Sequence, residues 1–158
     1  MTDSIDKRLT ELGIELPKPR PPAANYTPYV ITGDLVFISG QVPVGPQGLE
    51  WRGKCGGAYD VAQGQQAARL CALNLLSVLR EACCGNLDRV LQCVRIEGFV
   101  NSTPEFGEHP AVINGASDLI AELFGAKGIH ARFAVGCNSL PFDVAVEIAG
   151  IFAIDAPK

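Results

Sequence analysis

The sequence predicts a two-layer α/β sandwich, an α+β fold with a sheet in one layer and helices in the other. Three observations carry that expectation. Runs of β-branched and aromatic residues bounded by turn residues recur at 29–31, 35–39, 90–100, 129–137 and 144–154. Two stretches between them, 60–85 and 104–124, repeat apolar residues at helical spacing. The resulting order, β-β-α-β-α-β-β, alternates strands with amphipathic helices, which bury their apolar faces best as two packed layers. With 158 residues the chain suits one domain, large enough to bury about 68–70% of its unfolded surface.

Each element has a local reason. Ile5, Leu9 and Leu12 fall on one face of a short helix that Gly13 ends. Pro17, Pro19, Pro21 and Pro22 then force an extended segment, so residues 1–24 read as an extension laid over a domain spanning 25–158. The first two strands turn at Thr32-Gly33-Asp34, where Gly33 supplies the permissive backbone. The glycine-rich stretch 40–57 reads as a loop with a short strand near 48–51. Asp60 and Gln63 form a helix N-cap pair, and Ala67, Leu70, Cys71, Asn74, Leu75 and Val78 make the mostly apolar stripe that faces the sheet. In the strand 90–100, alternation puts Arg95 and Glu97 on one face against Val94 and Ile96 on the other. Thr103-Pro104 and Pro110 open a second helix that runs to Phe124 and stops at Gly125.

Composition narrows the function. No apolar run approaches the length needed to cross a membrane. The first residues lack the basic-then-apolar pattern of a secretory signal, so a cytoplasmic location is expected. The net charge of −4 and the scattered basic residues argue against a nucleic-acid partner, whose phosphates demand clustered Lys and Arg. The six cysteines include no Cys-x-x-Cys pair and read as buried, reduced thiols. Neither His109 nor His130 has metal-ligand spacing, so no metal site is expected.

Two charges stand out in the last strand pair. Arg132 and Glu147 sit in apolar stretches, where an unpaired charge costs several kcal/mol to bury (about 2–7 even for an uncharged polar group). Arg132 shares its strand face with Ala134 and Gly136, while Glu147 shares its own with Ala145, Ala149 and Ala153, though also with Ile151. The opposite faces, with Phe133 and Val135 or Val144, Val146, Ile148 and Phe152, read as core. Small neighbours leave room either for a ligand or for an ion pair at a close subunit contact.

The run Gly33-Asp-Leu-Val-Phe-Ile-Ser-Gly-Gln41, the helix 63–83, Ala131-Arg132, Leu140-Pro141 and Val146-Glu147-Ile148 together resemble the YjgF-like family. It is also called the Rid, or reactive intermediate deaminase, family. The resemblance covers about 25–154 and points to a longer, divergent branch. It implies a chorismate-mutase-like fold, a mixed sheet with two helices on one face, assembled as a homotrimer with clefts between subunits. It also implies hydrolysis of reactive enamines and imines to 2-keto acids and ammonia, without a cofactor. On that pattern Arg132 grips a substrate carboxylate and Glu147 positions a water. Tyr26, or Tyr29 in its place, lines the cleft; Ser39 and Gly40 lie against the ligand; and Ala134 stands where the family often has a Cys. The strands carrying Arg132 and Glu147 are not direct neighbours in that fold, so the plain ion pair of a simple hairpin is the second reading. A non-catalytic binder of small carboxylate metabolites, an endoribonuclease or translation inhibitor, and a purely structural trimer are the competing functions.

Overall fold

Backbone N–H and C=O groups in apolar strands need partners, and here they find them in one five-stranded mixed sheet. The computed structural model describes residues 4–22 and 24–155. In chain order the elements are α1 (Ile5–Glu11), β1 (Tyr29–Thr32), β2 (Leu35–Gln41), β3 (Val44–Gly45), β4 (Gly48–Leu49), α2 (Val61–Ala82), β5 (Val90–Asn101), α3 (His109–Phe124), β6 (Ala131–Cys137) and β7 (Val146–Ile154). The sheet order is β1-β2-β7-β5-β6, with only the β5–β6 pair parallel. Strands β3 and β4 form a separate small hairpin within the predicted loop.

The predicted two-layer architecture is the observed one. Helices α2 and α3 cover one face of the sheet, and α1 packs at the margin against α3. Asp60 starts α2 as a full capping box: its Oδ1 accepts from the Gln63 N–H at 2.8 Å, and Gln63 Oε1 accepts from the Asp60 N–H at 3.0 Å. Its small buried residues, Ala67, Ala68, Cys71 and Ala72, let the helix lie close to the strands, and Leu75, Leu76 and Leu79 fill the core. Gly33 takes a left-handed φ of 60° in the first turn.

Three element starts differ from the sequence reading by two residues or more, two because a tertiary contact and one because a local turn overrides the strand or helix pattern. Helix α3 starts at His109 rather than near Pro104, since Thr103 N–H donates to the Cys55 carbonyl and ties that segment to the preceding loop. Strand β6 starts at Ala131, because a 3₁₀ turn over 125–128 holds Ile129 N–H on the Ala126 carbonyl. Strand β7 starts at Val146, because Val144 bridges to Arg52 and Ala145 N–H donates to the Trp51 carbonyl.

Two side-chain assignments also change. Val94 does not share a face with Ile96: the β5–β7 register slips between Cys93 and Arg95, which turns Val94 outward. Phe133 and Val135 are not core. They lie level with Glu97 and Phe99 on the face away from the helices, where Val135 is 42% exposed. Strand β7 does follow the expected pattern, with Val146, Ile148 and Phe152 fully buried beneath the helices. The cysteines divide as well. Cys55, Cys71, Cys83 and Cys93 are buried, Cys137 is half-buried and Cys84 is exposed. Burial pushes the Cys55 and Cys83 thiols up to about 11 and Cys93 to about 12.

Residues 4–13 dock onto this domain. Leu9 is buried, Arg80 pairs with Asp6 at 3.0 Å, and the Ile5 N–H donates to Asp88 Oδ1 at 2.7 Å. Beyond Gly13 the proline-rich strap is tethered where Ser77 Oγ donates to the Pro17 carbonyl.

Helices α2 and α3 approach through glycine. A Cβ on Gly115 would sit 2.1 Å from the Gln65 backbone oxygen, whereas one on Gly107 would meet nothing within 4 Å. Gly115→Ala should lower stability in urea unfolding by about 1–3 kcal/mol through overpacking, outweighing the ~1 kcal/mol helix-propensity gain. Gly107→Ala should be neutral or stabilising by about 0.4–1 kcal/mol. Equal effects would contradict the close crossing.

Candidate active site

Glu147 lies near the start of β7, level with Phe99 of β5 and so on the face of the sheet away from the helices. Its seat is made by a neighbour with no side chain. Strand β2 leaves register with β7 between Ile38 and Gln41, and Gly40 occupies that irregularity. A Cβ on Gly40 would sit 2.2 Å from Glu147 Oε1, so only glycine leaves the carboxyl its place. Together they line a cavity of about 310 Å³. Burial pushes the Glu147 carboxyl up from its ordinary value.

The cavity wall is completed from four directions. Tyr26 and Pro28 come from the segment before β1, Asn74 and Val78 from α2, and Pro141 and Phe142 from the turn before β7. Asn74 Nδ2 is engaged, donating to the Val42 and Val44 carbonyls at 3.2 and 3.0 Å. Phe142 holds a left-handed φ of 59°, uncommon for a bulky residue. The turn it sits in is braced by buried Asn101, whose amide donates to Asp143 Oδ1 and the Val144 carbonyl. The strap supplies Lys18 and Arg20.

Arg132 is elsewhere. It projects from β6, the strand at the end of the sheet, on the face shared with Ile96 and therefore with the helices. Its Nη1 donates to Ser117 Oγ at 3.0 Å and its Nη2 to the Pro110 carbonyl at 3.2 Å. Ser117 Oγ is in turn 2.9 Å from His130 Nε2, and His130 Nδ1 is 2.6 Å from the Gly128 carbonyl. A carbonyl can only accept, so His130 carries a proton on Nδ1 and points it at Gly128. Among the described residues Arg132 has no carboxylate partner. Along the same strand, Gly136 leaves room for His109 and Ser102, whose Nε2 and Oγ lie 3.1 Å apart beside a groove of about 370 Å³.

The sequence-predicted site residues thus fall into two groups. Glu147, Gly40 and Tyr26 meet at the cavity. Tyr29, the alternative to Tyr26, packs against the core instead. Ser39 flanks the cavity rather than lining it, and its Oγ donates to the Thr27 carbonyl at 2.7 Å, bracing the segment that carries Tyr26. Arg132 and Ala134 form the second group on β6. Strand β5 separates β6 from β7, and the two charges point to opposite faces, so within one chain the plain Arg132–Glu147 ion pair does not form. Sequence reasoning missed Ser117 and His130 as supports of Arg132. It also missed Lys18 and Arg20, whose only signal was the proline-rich spacing of the strap.

The family model described as "YjgF/chorismate_mutase-like, putative endoribonuclease" matches residues 6–153. The chain belongs to this YjgF-like family. Protein TCP17 of Trypanosoma cruzi is 45% identical over 96% of this chain and 94% of its own length. Atu1372 of Agrobacterium tumefaciens, a protein of unknown function, is 46% identical with a TM-score of 0.89, over 97% of this chain and 95% of that one. A Shewanella oneidensis protein that carries the endoribonuclease label is 35% identical with a TM-score of 0.92, over 96% of this chain and 100% of that one. These matches extend over all but a few residues of this chain.

The Glu147 carboxyl gives a pH signature. Folded Glu147 keeps its proton to higher pH than the unfolded chain does. Between the two pKa values the folded state binds more protons, so stability falls as pH rises. Glu147→Gln removes that fall, and its melting temperature should gain on the wild type as pH is raised from about 4 to 7. A constant difference across that range would place the carboxyl at its ordinary value.

Proposed function

We propose that this protein hydrolyses reactive imino acids to 2-keto acids and ammonia, in clefts formed between copies of the chain in a homotrimer. The observation that carries the reading is the division of the site. A half-buried carboxyl with raised proton affinity lines a cavity, while an arginine with no carboxylate partner among the described residues sits on an edge strand. Each is half of what an imino acid needs.

The sheet supports assembly. Its helix-free face carries Val30, Phe37 and Ile151 level with one another, and Phe133 and Val135 further along beyond the Arg95–Glu97 pair; Phe37 is 40% exposed. An apolar sheet face left open in the chain is a surface for another copy. Strand β6 also keeps one unpaired edge. In the proposed cleft, Arg132 of one subunit faces the Glu147 cavity of the next.

The chemistry then follows from the groups. The Arg132 guanidinium takes the substrate carboxylate in two parallel hydrogen bonds, which fixes the C=N carbon in place. Glu147, deprotonated, takes a proton from water as its oxygen bonds to that carbon. The C=N electron pair moves to nitrogen, which takes that proton back from Glu147. Ionised again, Glu147 takes the carbinolamine's hydroxyl proton as the C=O bond forms and passes it to the departing nitrogen, so ammonia leaves and Glu147 ends ionised. No electrons are exchanged with any other group, so the step needs no cofactor. Raised proton affinity makes Glu147 a better base than an ordinary surface carboxylate. The cysteine found in many relatives on the Arg strand is Ala134 here, so no thiol enters the scheme. The endoribonuclease label fits less well, because a net charge of −4 gives no phosphate-tracking surface.

With an imino acid released in situ by an amino-acid oxidase, wild-type protein should speed keto-acid appearance over buffer. Glu147→Gln should lose about 10²–10⁴-fold in kcat. Arg132→Ala should lose about 10²-fold or more in kcat/KM through misplacement of the carbon. The acid limb of the kcat/KM profile should lie above the ordinary Glu value of about 4.3. Ligand-induced stabilisation without turnover would leave binding alone, and undiminished rates in both variants would remove the proposed roles.

A further inference from the structure

The strap does more than cover the Glu147 cavity. Its prolines fix the backbone in an extended form, and Ser77 anchors its start through the Pro17 carbonyl. Further along, Arg20 Nη2 donates to the Gly45 carbonyl at 3.3 Å. So held, the strap brings Lys18 and Arg20 to the wall of the cavity whose other lining includes Glu147. Among the described residues neither cation pairs with a carboxylate, although Glu15 lines the adjoining groove with both of them.

The rest of the lining is largely apolar. Val42, Val44, Leu49 and Val78 contribute, so few groups compete for an anion there. A cavity of about 310 Å³ is also roomier than the smallest imino acids require. The ligand therefore has both space and unanswered positive charge beyond the reacting carbon. On the proposed reading Arg132 of a neighbouring subunit already holds the carboxylate next to the C=N bond. The geometry points to a substrate with a second anionic group: a dicarboxylic imino acid, whose side-chain carboxylate is taken by Lys18 and Arg20. This rests on the imine-hydrolase reading and adds the substrate class to it. The reaction is unchanged, with water added to C=N and ammonia released.

The experiment compares two imines made in situ, iminosuccinate from D-aspartate with D-aspartate oxidase, and iminopropionate from D-alanine with D-amino-acid oxidase. The loss of semicarbazide-trappable imine is followed for each. The wild type should prefer iminosuccinate by about tenfold or more in kcat/KM, the scale on which a charged group in a site discriminates. Lys18→Gln/Arg20→Gln should erase the preference, lowering kcat/KM for iminosuccinate to about the level for iminopropionate. Lys18→Gln alone, which disturbs no hydrogen bond to the strap's anchors, should lower the preference with an unchanged melting temperature. Equal rates of wild type on both imines would overturn the inference while leaving the hydrolase reading intact. So would a preference that survives the double variant, or a double variant that loses both substrates while Arg132→Ala loses neither, since the strap would then hold the reacting carboxylate. No acceleration of either imine would instead overturn the hydrolase reading itself.

Discussion

Strand β5 lies between β6 and β7, and that single placement governs the rest. It accepts β6 in parallel on one side and β7 antiparallel on the other, so it carries both charged strands while holding them apart. Arg132 is thereby sent to the outer edge and the helix face, and Glu147 to the interior of the sheet and the opposite face. Each charge then meets its own local answer. Arg132 leans on Ser117 and the Pro110 carbonyl, while Glu147 takes the space that Gly40 leaves. Neither is neutralised by the other. In the proposed assembly a second copy of the chain completes both, and the uncovered sheet face is the surface that brings it.

Much of this was legible in the sequence, and the exceptions have physical causes. The capping pair at Asp60 and Gln63, the turn at Gly33 and the apolar stripe of α2 are local signals, and local signals survive folding. The fold class followed from element order, and the family from the spacing around Arg132 and Glu147. What local pattern could not tell was which side of a two-sided strand meets the helices. Phe133 and Val135 are bulky enough for a core, yet they face away from α2 and α3, because β6 takes its register from β5. A slip of one residue between Cys93 and Arg95 likewise turned Val94 outward.

The site was legible in part for the same reason. Glu147, Gly40 and Tyr26 converge because a register irregularity in β2 opens room where the carboxyl needs it, and the Ser39-Gly40-Gln41 run marks that place in the sequence. The supports of Arg132 were hidden: Ser117 belongs to a helix, and His130 ends a turn, so nothing in the sequence ties them to a strand residue. Lys18 and Arg20 were hidden in another way. Prolines announce an extended segment but not its path, and only the path across α2 takes it to the cavity.

In the proposed enzyme Arg132 and Glu147 act in one cleft although one chain keeps them apart. The direct test assembles Arg132→Ala chains with Glu147→Gln chains, the two kinds carrying different tags so that mixed oligomers can be isolated. Imine hydrolysis by the mixed species is compared with that of each variant alone. If the cleft is shared, some clefts of the mixture pair an intact Arg132 with an intact Glu147 from a neighbour, so activity returns. Mixed oligomers no more active than either parent would contradict it.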